Sequence, residues 1–138
     1  EAMPQIAAFG EACRIAKENL AENAAKMAAL RQLTIDTLTP AIPELQVING
    51  AAPHILSISL PGWRSEVIMN FLEAESIYVS RSSACKKGGR SHVLEAMHLP
   101  AQVIDGAIRI SFSRYSTEAD VLALCSALKR AHDTLAHR

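Results

Sequence analysis

Aromatic residues are scarce in this chain: one Trp, two Tyr and three Phe, or 4% of the sequence. With 49% hydrophobic residues, a core is affordable only from Leu, Ile, Val, Ala and Met. Net charge is lacking too, because 14 basic residues balance 14 acidic ones. That balance removes the reason to expect a nucleic acid or an anionic membrane as partner. No apolar run approaches the roughly 20 residues needed to cross a bilayer. No basic segment followed by an apolar stretch marks a secretory leader. Three widely separated cysteines do not make a disulfide framework, and a reducing cytoplasm is the expected compartment. No Cys/His spacing suggests a metal site. There is no phosphate-loop motif and no internal repeat.

What is present fits a single domain over residues 1–138. Pro4 suits a first helical turn. Ile6, Phe9, Cys13, Ala16, Leu20, Ala24 and Met27 then recur at steps of three and four. This predicts a long amphipathic helix to about Thr37, stopped by Pro40 and Pro43, with Cys13 on its buried stripe. Part of that stripe is more than a small domain needs, so it is expected to face something outside this chain. A short strand is expected at Gln46–Ile48. Leu56, Ile58 and Leu60 alternate with Ser57 and Ser59, which predicts a half-buried strand ended by Pro61-Gly62. Val67, Ile68, Phe71 and Leu72 predict a helix from Ser65 to about Ala74. Ser76–Ser80 reads as another short strand. A helix is expected after Ser91, stopping near Leu99-Pro100. Ile108, Ile110 and Phe112 alternate with Arg109 and Ser111 in a further strand. Thr117 and Asp120 have capping-box spacing ahead of a last helix whose apolar face holds Val121, Leu124, Cys125, Leu128, Ala131 and Leu135. The fold class is α+β: a small three-stranded sheet packed with helices in two layers, preceded by a long helix.

Cys85 differs from the other two cysteines. No helical or strand stripe claims it, and Lys86, Lys87 and Arg90 stand close by in sequence. Neighbouring cations favour the thiolate, which is the nucleophile. Gly88-Gly89 permits close backbone approach. An incidental loop cysteine is the alternative. Arg109, between two isoleucines of a strand, must point off the core face. It is either a solvated charge or a fork for a substrate carboxylate. His92 is either a proton-transfer group or a polar residue at a helix start.

Two family patterns pass through this loop. "CKKGGRS", Cys85 to Ser91, is similar to the rhodanese active-site loop, which holds a cysteine persulfide; that likeness covers the loop alone. "VSRSSACKKGGRSHVLEAM" followed by "AIRISFSRYSTEADVLALCSAL" resembles the C-terminal part of cysteine desulfurases of the class V aminotransferase superfamily. "PHILSISLPGWRSEVIMNFLEAESIYVS" and "EAMPQIAAFGEA" extend that second resemblance over almost the whole chain.

The resemblance implies the small domain of a fold-type I pyridoxal 5'-phosphate enzyme. Cys85 matches the loop cysteine that takes sulfur from L-cysteine as a persulfide with release of L-alanine. Arg109 matches the arginine that binds the substrate α-carboxylate. Implied partners are a sulfur-acceptor or scaffold protein, as in iron–sulfur cluster assembly, and a second subunit in a full-length homodimer. The family's cofactor lysine lies in a larger N-terminal domain, and no lysine here has a matching context. The fragment is therefore expected to bind no cofactor and to be inactive or nearly so alone. Alternatives are a stand-alone rhodanese-like persulfide carrier, a non-catalytic interaction module, or a related lyase for selenocysteine. The chain departs from the family at Arg81-Ser82, where Ser-Gly is frequent, and at His98-Leu99, where a glycine is common. Ser113 and Ser116 stand where Gly and Asn are frequent.

Overall fold

A computed structural model describes residues 2–48, 50–81 and 90–135. Helix α1 spans Met3–Ala41, with a proline in its first turn. Strands β1 (Gln46–Ile48) and β2 (Ile55–Ser59) follow, then α2 (Ser65–Ala74). Two five-residue helices, α3 (His92–Ala96) and α4 (Ala101–Asp105), precede β3 (Ala107–Ser111) and α5 (Glu118–Thr134). The strand order is β1-β2-β3, and both pairings are antiparallel.

The register follows from the alternation. Ile58 pairs with Val47 on one side and Ile108 on the other, and Leu56 pairs with Ile110. These side chains share one face with period two. That face packs on Leu30 and Leu38 of α1, Ile68 and Leu72 of α2, and Leu124, Cys125 and Leu128 of α5. The opposite face carries Ile48, Ser57 and Arg109 in one row. A smaller cluster of Ile48, Val103 and Ala107 covers part of it, with Leu94 and Leu99 packed against it. The Ser59 hydroxyl, fully buried, donates to the Val103 carbonyl at 2.6 Å and ties α4 to the sheet.

Two turns depend on glycine. Pro61-Gly62 forms a type II turn closed by the Trp63 N–H on the Leu60 carbonyl at 3.1 Å, with Gly62 at φ 88°. At Gly106 a Cβ would stand 2.1 Å from the Leu60 carbonyl oxygen, so the backbones can meet only without a side chain.

Several expectations are corrected. Helix α1 continues through Pro40 to Ala41, because a proline in the last turn removes one hydrogen bond, and Ile42 N–H still reaches the Leu38 carbonyl at 2.9 Å. Cys13 is exposed, not buried. The reason is length: 39 helical residues extend about 58 Å, whereas five-residue strands extend about 17 Å. Only Leu30, Thr34 and Leu38 of α1 are buried, and Ile6, Phe9 and Leu20 stay in solvent. That matches the expectation of a surplus stripe. Ser76–Ser80 is no strand, because only Ser80 bridges the sheet edge, at Arg109. The preceding residues are used to end α2, with Ser76 N–H on the Glu73 carbonyl and Ile77 N–H on the Leu72 carbonyl, both at 2.9 Å. This is a Schellman termination with Ser76 at φ 60°. The third strand is therefore Gln46–Ile48. Helix α4 was not anticipated. The capping box at Thr117 and Asp120 is present, and Cys125 is buried as expected.

Candidate functional site

Arg109 sits in the middle of β3, one position from two buried isoleucines, so the pleat turns it to the opposite face. Its backbone is fixed on both edges, paired with Ser57 of β2 and bridged to Ser80. Its guanidinium makes no hydrogen bond or ion pair among the described residues. Most other arginines are engaged: Arg14 with Glu11 and Glu18, Arg81 with Glu66, Arg90 with Asp105, Arg130 with Glu75. An unpaired fork on a rigid strand is prepared to take a carboxylate from outside.

Around Arg109 lies a cleft with room for about 190 Å³, lined also by Ser57, Arg81, Ser91 and His92. Ser91 caps α3, its hydroxyl accepting the Leu94 N–H at 3.5 Å, which sets His92 as the first helical residue. His92 and Arg109 are thus brought to one cleft. Cys85, Lys86 and Lys87 lie outside the described residues.

Arg90 is a bidentate partner of Asp105, with Nε to Oδ1 at 2.7 Å and Nη2 to Oδ2 at 2.8 Å. This pair holds the Asp105 carboxyl below its ordinary range, with a smaller contribution from Arg64. The expected thiolate-supporting cation at Arg90 is therefore committed to a carboxylate of α4. Arg81 was noted in the sequence only as a departure from the family, yet it lines the Arg109 cleft and pairs with Glu66 on α2. Both ion pairs join residues 15 apart in sequence, a separation at which no local spacing rule points to a partner. Among the described residues no group of three His, Cys, Asp or Glu could hold a metal ion. No helix among the described residues is long and apolar enough to cross a membrane.

A long helix leading into a three-stranded antiparallel sheet packed with helices is the small-domain architecture of the aminotransferase fold. The chain belongs to the class-V aminotransferases, whose family profile matches residues 1–124. Its relatives include a cysteine desulfurase from Gluconacetobacter diazotrophicus, 33% identical, with 88% of this chain and 32% of the relative aligned. The cysteine desulfurase IscS of Mannheimia succiniciproducens is 34% identical over 87% of this chain and 30% of the relative. A solved NifS-like protein superposes with a TM-score of 0.84 at 30% identity, covering 98% of this chain and 35% of that structure. The NifS-like protein of Rickettsia africae gives 0.84 at 25% identity, over 97% and 36%. This chain spans about a third of the length of the curated relatives it matches.

Pyridoxal 5'-phosphate is the cofactor this family implies for the full-length enzyme. The described residues do not fit it. No lysine among the described residues lines the Arg109 cleft. Lys26 donates to the Arg114 carbonyl at 2.7 Å, Lys129 pairs with Asp133, and Lys17 lies on the exposed part of α1.

Proposed function

We propose that this chain supplies the carboxylate clamp and the sulfur-accepting thiol of a cysteine desulfurase, with the cofactor site on protein outside the chain. The observation that carries the reading is Arg109: a guanidinium without a partner among the described residues, its backbone fixed by two neighbours, in a cleft with His92 and Ser91. The names of the relatives support the substrate class. Arg109 grips the α-carboxylate of L-cysteine by a two-point charged contact, which orients the side-chain sulfur. The Cys85 thiolate takes that sulfur, the carbon–sulfur bond breaks, and the electron pair left on carbon acquires a proton. L-cysteine and a thiol thereby become L-alanine and a persulfide. The persulfide passes its terminal sulfur to an acceptor protein. His92, at the cleft wall, is the described group placed to move a proton.

The test is a chimera in which this chain replaces the corresponding third of the Gluconacetobacter relative. Alanine release from cysteine is expected, lost in Cys85→Ser. Arg109→Gln is expected to raise KM by about 100-fold, as loss of a charged two-point contact of ~3 kcal/mol requires. A chimera that binds cofactor and releases alanine equally well with Cys85→Ser ends the assignment of Cys85. An unchanged KM in Arg109→Gln ends that of Arg109.

A further inference from the structure

A second cleft, with room for about 180 Å³, opens at the start of α2 and shares Arg81, Ser91, Leu94 and Ala107 with the Arg109 cleft. Its far side is formed by Arg64, Ser65, Glu66, Arg90 and Asp105. Helix α2 begins there without a cap: Arg64 is extended and offers no side-chain acceptor. The Val67 and Ile68 N–H groups turn back to the Arg64 carbonyl, while those of Ser65 and Glu66 have no partner among the described residues. Two donors and the positive end of the helix dipole thus face the opening.

Ser65 adds an independent sign. The residue is only 3% exposed, yet its hydroxyl has no hydrogen-bond partner among the described residues. Among the described residues no fully enclosed polar side-chain atom is left unsatisfied, so the Ser65 hydroxyl is open to the cleft it lines. On a residue otherwise almost wholly enclosed, that hydroxyl has its bonding capacity free only towards the cleft. Three guanidiniums stand against two carboxylates, and Glu66 and Asp105 are each occupied, by Arg81 and Arg90. Arg64 is left over, without an ion pair among the described residues, though near enough to help depress the Asp105 carboxyl.

We propose that this cleft is an oxyanion subsite that takes a phosphate-sized group of a small molecule. The Ser65 and Glu66 N–H groups and the Ser65 hydroxyl are its donors, and Arg64 is its counter-charge. A tetrahedral oxyanion presents oxygens in several directions at once, which suits donors arranged around a helix end. The proposal does not depend on the desulfurase reading.

The experiment is a titration of the 138-residue chain with inorganic phosphate at constant ionic strength, followed by backbone amide NMR. Saturable shifts of the Ser65, Glu66 and Val67 amides are expected, with a dissociation constant of about 1 mM. Arg64→Gln and Ser65→Ala should each weaken binding by ~fivefold, the loss of one charged or neutral donor. Arg109→Gln should leave the curve in place. Glycerol phosphate in a parallel titration identifies the source: tighter binding than that of inorganic phosphate marks a phosphate ester, and binding of inorganic phosphate alone marks the free ion. Drift without saturation, identical curves for wild type and the two α2 variants, or shifts confined to β3 would overturn the proposal.

Discussion

His98 and Ser76 occupy left-handed backbone positions, at φ 55° and 60°. Each is the residue after a helix end. At α3 the His98 N–H reaches the Glu95 carbonyl at 2.9 Å and the Leu99 N–H reaches the Leu94 carbonyl at 3.3 Å. Glycine meets this geometry without a Cβ penalty, which gives a physical reason for the glycine common here in the desulfurases that the sequence resembles. His98→Gly is expected to stabilise the fold by about 0.5–1 kcal/mol, the Cβ strain relieved less the entropy of a freer unfolded chain. Thermal unfolding should register a rise of about 2–4 °C; a fall would mean that the imidazole contributes something the backbone does not reveal. A second histidine bears on pH. The His132 ring sits between Glu44 and Asp133, at 3.0 Å from the latter, with Trp63 at 5.6 Å between centroids. Glu44 is the larger cause, and Asp133 the smaller, of a pKa raised above the ordinary value. Lys129 also pairs with Asp133. A raised folded pKa stabilises fully below the unfolded value of about 6.5, and the gain is lost as pH rises through the folded value. The melting temperature of the wild type should therefore fall, relative to His132→Gln, between about pH 6 and pH 8. Parallel curves for the two proteins across that range would contradict the clamp.

Among the elements, α1 separates what periodicity can say from what it cannot. Steps of three and four from Ile6 to Met27 mark one face of a helix, and the helix is there. Periodicity does not say whether anything covers that face; in this chain Ile6, Phe9 and Leu20 are exposed, Ala24 and Met27 are half-buried, and full burial begins at Leu30. Phe9, 73% exposed, and Leu38, 1% exposed, lie on the same helix with opposite energetic weight. Phe9→Asp is expected to change stability by less than about 0.5 kcal/mol, as at an ordinary surface position. Leu38→Ala should cost about 2–5 kcal/mol, because it opens a cavity between α1 and the sheet. Urea unfolding of both variants checks the pair, and equal losses would mean that the outer part of α1 is packed after all. The strands were legible where alternation ran over several residues, as at Ile55–Ser59 and Ala107–Ser111, and the same alternation placed Arg109 off the core. It misled at Ser76–Ser80, where apolar residues support a helix termination and a single bridge. Helix α4 is barely more than one turn long, too short to show a period. The pairs Arg81–Glu66 and Arg90–Asp105 were illegible because they arise from packing between elements.

For the molecule as a whole, the three cysteines form an internal scale against which the thiol assignment can be measured. Cys125 lies on the buried face of α5, 4% exposed, and burial pushes its thiol up to about 11. Alkylation needs thiolate and access, so Cys125 should react only as fast as the fold opens. Cys13 is exposed on the outer part of α1 and serves as the reference for an open thiol. If Cys85 is the sulfur-accepting nucleophile, with Lys86 and Lys87 beside it in sequence, its thiolate fraction at neutral pH exceeds that reference. For any thiol that is mostly protonated, a pKa lower by one unit raises the thiolate population about tenfold, and the slightly weaker nucleophile gives back part of the gain. Labelling of the whole chain with iodoacetamide at pH 7, read peptide by peptide by mass spectrometry, is expected to give Cys85 ahead of Cys13 by about threefold or more, with Cys125 last. A Cys85 rate equal to that of Cys13 at every pH would leave an ordinary loop thiol, and the sulfur chemistry would have to rest on another group.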